Sequence, residues 1–190
     1  MAGNFRIKYN VGDGLMVLCV ANYSERKNQT LAVRAFRKAN IPGSTLVFIG
    51  SEFNEYSEKV MELDESINQK SLCRTIFLEG ISREETQAAF ACSDIFLLTA
   101  KQETQPIVII EAMAAGKPWI STHTGCVSNM EGGVVADGCV ALASNLNRIA
   151  TDSIIASSLG RTGRKAAVEN YRESVIIDRW DNLLKNLSSR

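Results

Sequence analysis

A chain of 190 residues, 45% hydrophobic and 22% charged, has the size and make-up of one soluble globular domain with a sizeable core. No stretch reaches the roughly 20 apolar residues of a membrane span. With 21 basic against 21 acidic residues the formal charge is zero, which excludes an overall field that would gather nucleic acid or an anionic membrane, so any anion site must be local.

The opening MAGNFRIKYN has neither the apolar core nor the cleavage site of a signal peptide, and residues 1–14 read as an N-terminal extension or linker. From residue 15 to 190 one domain is expected. Short apolar runs rich in β-branched residues recur as LMVLCVA (15–21), STLVFIG (44–50), TIFLEG (75–80), DIFLLT (94–99) and PWISTH (118–123), with one more short strand at 133–136. They are apolar on both parities, as strands covered on both faces are, and helical spacing separates them. This alternation predicts a doubly wound parallel sheet of right-handed βαβ units, in the α/β class. Ser82 and Glu85 form a capping box, and Gly116 stands where a left-handed helix end belongs. Three helical segments, 139–150, 153–170 and 173–187, close the chain as a helical tail without strands. The five cysteines (Cys19, Cys73, Cys92, Cys126, Cys139) are odd in number and show no CxxC spacing, which suits reduced thiols and cytoplasmic residence.

Ligands of an open parallel sheet bind outside the carboxyl ends of its strands, so the loops there carry the functional information. The loop ANYSERKNQ (21–29) lacks both glycine-rich phosphate signatures but places Lys27 close to a helix start, where an ammonium and free amides can hold phosphate together. In KQETQPIVIIEAMAAGKP (101–118), Pro106 reads as the first helical residue, leaving the amides of Ile107, Val108 and Ile109 without intrahelical partners. Glu103 precedes that helix and Glu111 lies just over one turn inside it. A carboxylate beside a phosphate needs a different task, either accepting from sugar hydroxyls or stabilising an oxocarbenium ion. The residues alone leave this reading level with a plain one, in which Glu103 caps the helix and Glu111 faces solvent. His123 reads as a polar loop residue. No His/Cys/Asp cluster has metal-ligand spacing, and no nucleophile has an identifiable base nearby.

The paired glutamates, the following EAMAAGKPWIST, and the earlier KNQTLAVRAF, FLEGISREE and SDIFLLTA, in this order, resemble the C-terminal, nucleotide-sugar-binding domain of the retaining glycosyltransferases of family 4, which have the two-domain GT-B fold. The resemblance runs from about residue 15 to the C-terminus. It implies that Glu111 binds the ribose hydroxyls of the nucleotide and that Glu103 faces the donor sugar and its diphosphate. Lys27 would neutralise the diphosphate, the amides from Thr104 through Gln105 and Pro106 to Ile107 would line it, and the loop at Gly80 and Ile81 would contact the base. It further implies hexosyl transfer from a nucleoside-diphosphate sugar of the UDP or GDP type, without a metal, to a carbohydrate or lipid-linked acceptor. Implied partners are an N-terminal acceptor domain or a partner subunit, with peripheral membrane association of the full-length enzyme and no nucleic acid.

The chain departs from the family at several positions. Asn22 stands where an arginine is usual, removing one of two cations that clamp the diphosphate, with Arg26 as a substitute. Thr104 and Gln105 replace a common Gly-Phe pair, and Cys126 and Asn129 stand where Gly and Glu are usual. Asn22 motivates a rival expectation, a non-catalytic nucleotide-sugar-binding module. A sugar-nucleotide epimerase on the same two-domain fold is disfavoured, because those enzymes lack the paired-glutamate block.

Overall fold

The computed structural model describes residues 2–67 and 72–188. Six parallel strands, β1 (Met16–Val20), β2 (Thr45–Gly50), β3 (Arg74–Glu79), β4 (Ile95–Leu98), β5 (Trp119–Ser121) and β6 (Gly133–Val135), form one sheet in the order β3-β2-β1-β4-β5-β6. Each expected strand is present; five are trimmed by a residue or more, and β3 begins and ends one residue earlier than expected. The helices are α1 (Ala2–Lys8), α2 (Gln29–Ala39), α3 (Glu55–Ile67), α4 (Arg83–Cys92), α5 (Ile107–Ala114), α6 (Gly138–Thr151), α7 (Ser153–Asn170) and α8 (Glu173–Ser188).

The apolar parity of the strands explains the layering. Met16, Leu18, Phe96 and Leu98 point to a core shared with Phe90 of α4 and with Ile109 and Met113 of α5. Val17, Cys19, Ile95 and Leu97 point the other way, to Phe36 of α2, Val60 of α3 and Leu142 of α6. Alternating residues thus feed two cores, so every residue of these strands must be apolar.

Residues 2–14, set apart by the sequence as an extension, carry α1, whose Phe5 is buried in the first core. Arg6 ties the helix down by donating to Cys92 O (2.8 Å) and Asp94 Oδ2 (3.0 Å). Across the sheet, Arg37 donates through Nε and Nη2 to the two carboxylate oxygens of Asp64, both at 2.7 Å, in a buried fork joining α2 to α3.

The order of the strands sets the place of the site. The chain runs from β1 outward through β2 to β3, returns to pair β4 on the other side of β1, and continues outward to β6. The strand order therefore reverses between β1 and β4, and the loops leaving these two strands diverge around a crevice at their carboxyl ends.

Candidate functional site

Those two loops are 21–28 and 99–106, and backbone bonds lace them together. Lys101 N donates to Arg26 O (2.8 Å), and the Thr99 hydroxyl donates to Asn28 O (2.9 Å). Asn28 takes a left-handed conformation (φ 54°) just before α2, which turns the chain so that Lys27 faces the crevice. The Lys27 ammonium donates to Glu103 Oε1, and Arg26 Nη1 stands 3.9 Å from Glu103 Oε2. The Glu103 side chain is only 10% exposed, so its charge is compensated by these two cations rather than by water. On the other side, the Glu103 amide donates to the Thr124 hydroxyl (2.7 Å), fixing the backbone beneath the carboxylate.

A cavity of about 700 Å3 opens beside this cluster. Asn22, Arg26 and Lys27 line one end, while Gly80, Ile81 and Thr86 line the other. Gly80 has φ +59°, a turn that swings the chain out of β3 and brings the start of α4 over the cavity. The expected capping box holds that start: the Ser82 hydroxyl accepts from Glu85 N (3.1 Å) and Glu85 Oε2 accepts from Ser82 N (3.2 Å).

The structure thus brings together Asn22, Lys27, Gly80 and Ile81 around one space, with Glu103 at its edge through Lys27. Thr104, Gln105 and Ile107 lie exposed beyond its lining, and Pro106 is buried. Pro106 takes the N-cap of α5 (φ −74°, ψ 103°) rather than its first helical position, so the helix begins one residue later than the sequence suggested. The Ile109 amide is also not free, because it donates to Pro106 O (3.0 Å) in a tight first turn. That leaves Ile107 and Val108 as the amides able to face an anion, and Val108 lines the cavity. At the far end of α5, Gly116 has the left-handed φ of +69° that the sequence assigned to it.

Glu111 lies apart from the large cavity. It sits half-buried on α5, where its Oε1 accepts from Arg83 Nη2 at 2.8 Å. His123 is exposed, and its amide donates to Asp137 Oδ1 (2.8 Å). Arg83, Thr86 and Thr124 were not singled out by sequence reasoning. Only Arg83 carried a signal, since it directly follows the capping Ser82 on the loop already assigned to the base. Among the described residues no group of three or more His, Cys, Asp and Glu side chains could hold a metal, and no helix is long and apolar enough to cross a membrane.

Comparison with known proteins agrees with this fold. A GDP-mannose-dependent alpha-(1-6)-phosphatidylinositol monomannoside mannosyltransferase of Mycolicibacterium smegmatis is 26% identical over 182 residues, covering 88% of this chain and 47% of the relative. An N-acetyl-alpha-D-glucosaminyl L-malate synthase of Bacillus anthracis is 20% identical, covering 93% of this chain and 47% of its own length. The chain therefore spans about half the length of the curated relatives it matches. Among solved structures, Anabaena Alr3699/HepE in complex with UDP and glucose superimposes with a TM-score of 0.81 at 18% identity, covering 100% of this chain and 52% of that one. The C-terminal domain of the glycosyl transferase group 1 family protein LpcC from Francisella tularensis gives 0.76 at 14% identity, covering 91% of this chain and 94% of that one. These likenesses place the fold with the C-terminal domains of GT-B glycosyltransferases. The family model described as glycosyl transferases group 1 matches residues 3–166, nearly the whole α/β body, and the chain belongs to that family.

Proposed function

We propose that this chain is the donor-binding half of a retaining glycosyltransferase that moves a hexosyl group from a nucleoside-diphosphate sugar to a carbohydrate or lipid-linked acceptor. The observation that carries the reading is the cavity at the sheet's switch point, with cations at one end and the Gly80–Ile81 backbone at the other. The base belongs at the Gly80 end and the diphosphate at Lys27, with Arg26 supplying the second cation that Asn22 does not. Both cations line the same space, which supports Arg26 as the substitute. With them the leaving diphosphate needs no metal. The Val108 and Ile107 amides add positive ends at the start of α5.

On this reading the incoming diphosphate takes over as counter-ion of Lys27, and Glu103 is freed to orient the sugar and stabilise positive charge at its anomeric carbon. The acceptor oxygen attacks from the face that the diphosphate leaves. The anomeric carbon to phosphate-oxygen bond breaks as the new glycosidic bond forms, and the acceptor proton passes to the departing phosphate. Retention then requires no protein nucleophile. The acceptor is held by a preceding α/β domain or partner subunit, in keeping with relatives of about twice this length. UDP or GDP is the expected nucleotide. HepE, whose structure contains UDP and glucose, supports a nucleotide-sugar donor for this shape of domain. Asn22 on the cavity wall favours one rival, a module that binds the nucleotide without turnover.

Calorimetric titration of UDP, GDP and ADP into the chain, with and without Mg2+, tests the reading. Binding of one nucleotide, indifferent to Mg2+ and lost in Glu111→Ala, is the expected result. Binding that requires Mg2+ would contradict the role given to the two cations. Tight binding without transfer after an acceptor domain is supplied would favour the module.

A further inference from the structure

Gln29 is fully buried at the first position of α2, and its side chain is only half satisfied. Its Nε2 donates to Ala21 O (3.3 Å) and Asn22 O (3.0 Å), while among the described residues nothing donates to its Oε1. Exchanging the two ends of the amide would set Oε1 against two carbonyls, so the loop imposes this orientation. A buried acceptor left without a donor weakens folding, so stability alone does not account for the arrangement. What it secures is the direction of two peptides. A trans peptide carries its C=O and N–H on opposite sides, and there is no cis bond among the described residues. With Ala21 O and Asn22 O drawn to Gln29, the amides of Asn22 and Tyr23 are turned the other way. Ala21 and Asn22 line the large cavity and Gln29 does not, so that direction is toward the cavity. Neither amide finds an acceptor among the described residues. At the far end of the same loop the Thr99 hydroxyl donates to Asn28 O, which pins the segment at both ends.

We infer that Gln29 is a positioning residue for anion binding: it turns the Asn22 and Tyr23 amides into the cavity, where they take phosphate oxygens. Two successive amides on one side of the chain make a small concavity for an anion. They stand beside Arg26 and Lys27, which line the same space. The backbone thus supplies by hydrogen bonds what the arginine usual at position 22 would supply by charge. The inference rests on the donor reading above, which puts the diphosphate at this end of the cavity.

The test titrates inorganic pyrophosphate, UDP and GDP into wild type, Gln29→Met and the double variant Gln29→Met/Asn22→Arg. Methionine keeps the length of Gln29 and suits an apolar site, but it donates nothing to the two carbonyls. Gln29→Met should bind pyrophosphate and the preferred nucleotide about tenfold more weakly, the usual worth of hydrogen bonds to a charged group. Adding Asn22→Arg should restore most of that loss, because a cation then replaces the turned amides. A second pair of variants leaves Gln29 in place and decides the matter even if Gln29→Met does not fold. Asn22→Pro deletes one of the amides and should bind pyrophosphate more weakly than Asn22→Ala, which keeps it. Unchanged pyrophosphate affinity in Gln29→Met overturns the inference. So does a loss that Asn22→Arg fails to restore, since Gln29 would then only support the fold, and so does equal binding by Asn22→Pro and Asn22→Ala. If wild type binds neither pyrophosphate nor a nucleotide, the donor reading falls and the inference with it, whereas wild-type binding that Gln29→Met leaves intact defeats the inference alone.

Discussion

Lys27 and Arg26 share one carboxylate but differ in how closely they are bound to it. Lys27 contacts Glu103 directly and its side chain is 18% exposed, whereas Arg26 lies at 3.9 Å with more than half its side chain in water. Replacing Lys27 by alanine should therefore lower nucleoside-diphosphate affinity about ten- to a hundredfold, and Arg26→Ala by less, as calorimetry of the two variants would read. Equal losses would mean that the cations act as one diffuse charge. The Arg37–Asp64 fork, buried and far from the crevice, separates stability from function. Asp64→Ala removes the counter-charge of a buried guanidinium and should cost about 3–5 kcal/mol in denaturant unfolding, leaving nucleotide affinity of the folded fraction intact. Single residues were unevenly legible. Lys27, Glu103 and Gly80 could be placed at the crevice because each sits on a loop that the strand alternation defines. Arg83 and Thr124 act across the fold, 28 and 21 residues from their partners, and no local spacing encodes such a meeting.

Among the elements, the four central strands were readable because burial on both faces leaves a continuous apolar run, a signal independent of neighbours. The start of α5 was displaced by one residue, because proline suits either side of a helix boundary and tertiary contacts decide which. One such contact comes from Gly125, with φ +50°. A Cβ there would stand 2.3 Å from Thr104 O and 2.7 Å from Glu103 O, so the loop after β5 presses directly on the backbone that carries Glu103. Gly125→Ala should push that segment outward and weaken nucleotide binding at least as much as Lys27→Ala, with a modest fall in melting temperature; unaltered affinity would show that the segment moves freely. The docking of α1 on α4 makes a pH prediction. Glu85 accepts from Lys8, from the Ser82 amide and from Tyr9, which together lower its carboxyl from 4.5 to about 2. Its depressed value means that the stabilisation is fully present above 4.5 and fades as pH falls toward about 2. The difference in denaturant midpoint between wild type and Glu85→Gln should accordingly shrink over that window, and a constant difference would mean that Lys8 and Tyr9 do not favour the ionised form.

At the scale of the molecule, α8 stands out because none of its residues is buried. Ile177, Trp180, Leu184 and Leu187 recur at helical spacing, and all are at least half exposed. On the opposite face Asp178, Arg179, Asp181 and Lys185 balance in charge, which does not suit an anionic membrane surface. A protein surface is the better complement, and the acceptor-binding half proposed above supplies one. Trp180 reports on this, since the chain's other tryptophan, Trp119, is fully enclosed and can be changed to phenylalanine. In a Trp119→Phe background Trp180 should emit as a solvated indole in the 190-residue chain and shift to the blue when an acceptor domain is joined to or mixed with it. Leu184→Asp should abolish the shift while leaving nucleotide binding by the α/β body unchanged, because α8 does not line the large cavity proposed to hold the donor. Emission that is already blue and depends on concentration would instead identify a second copy of the chain as the occupant, and the apolar face would then belong to a dimer.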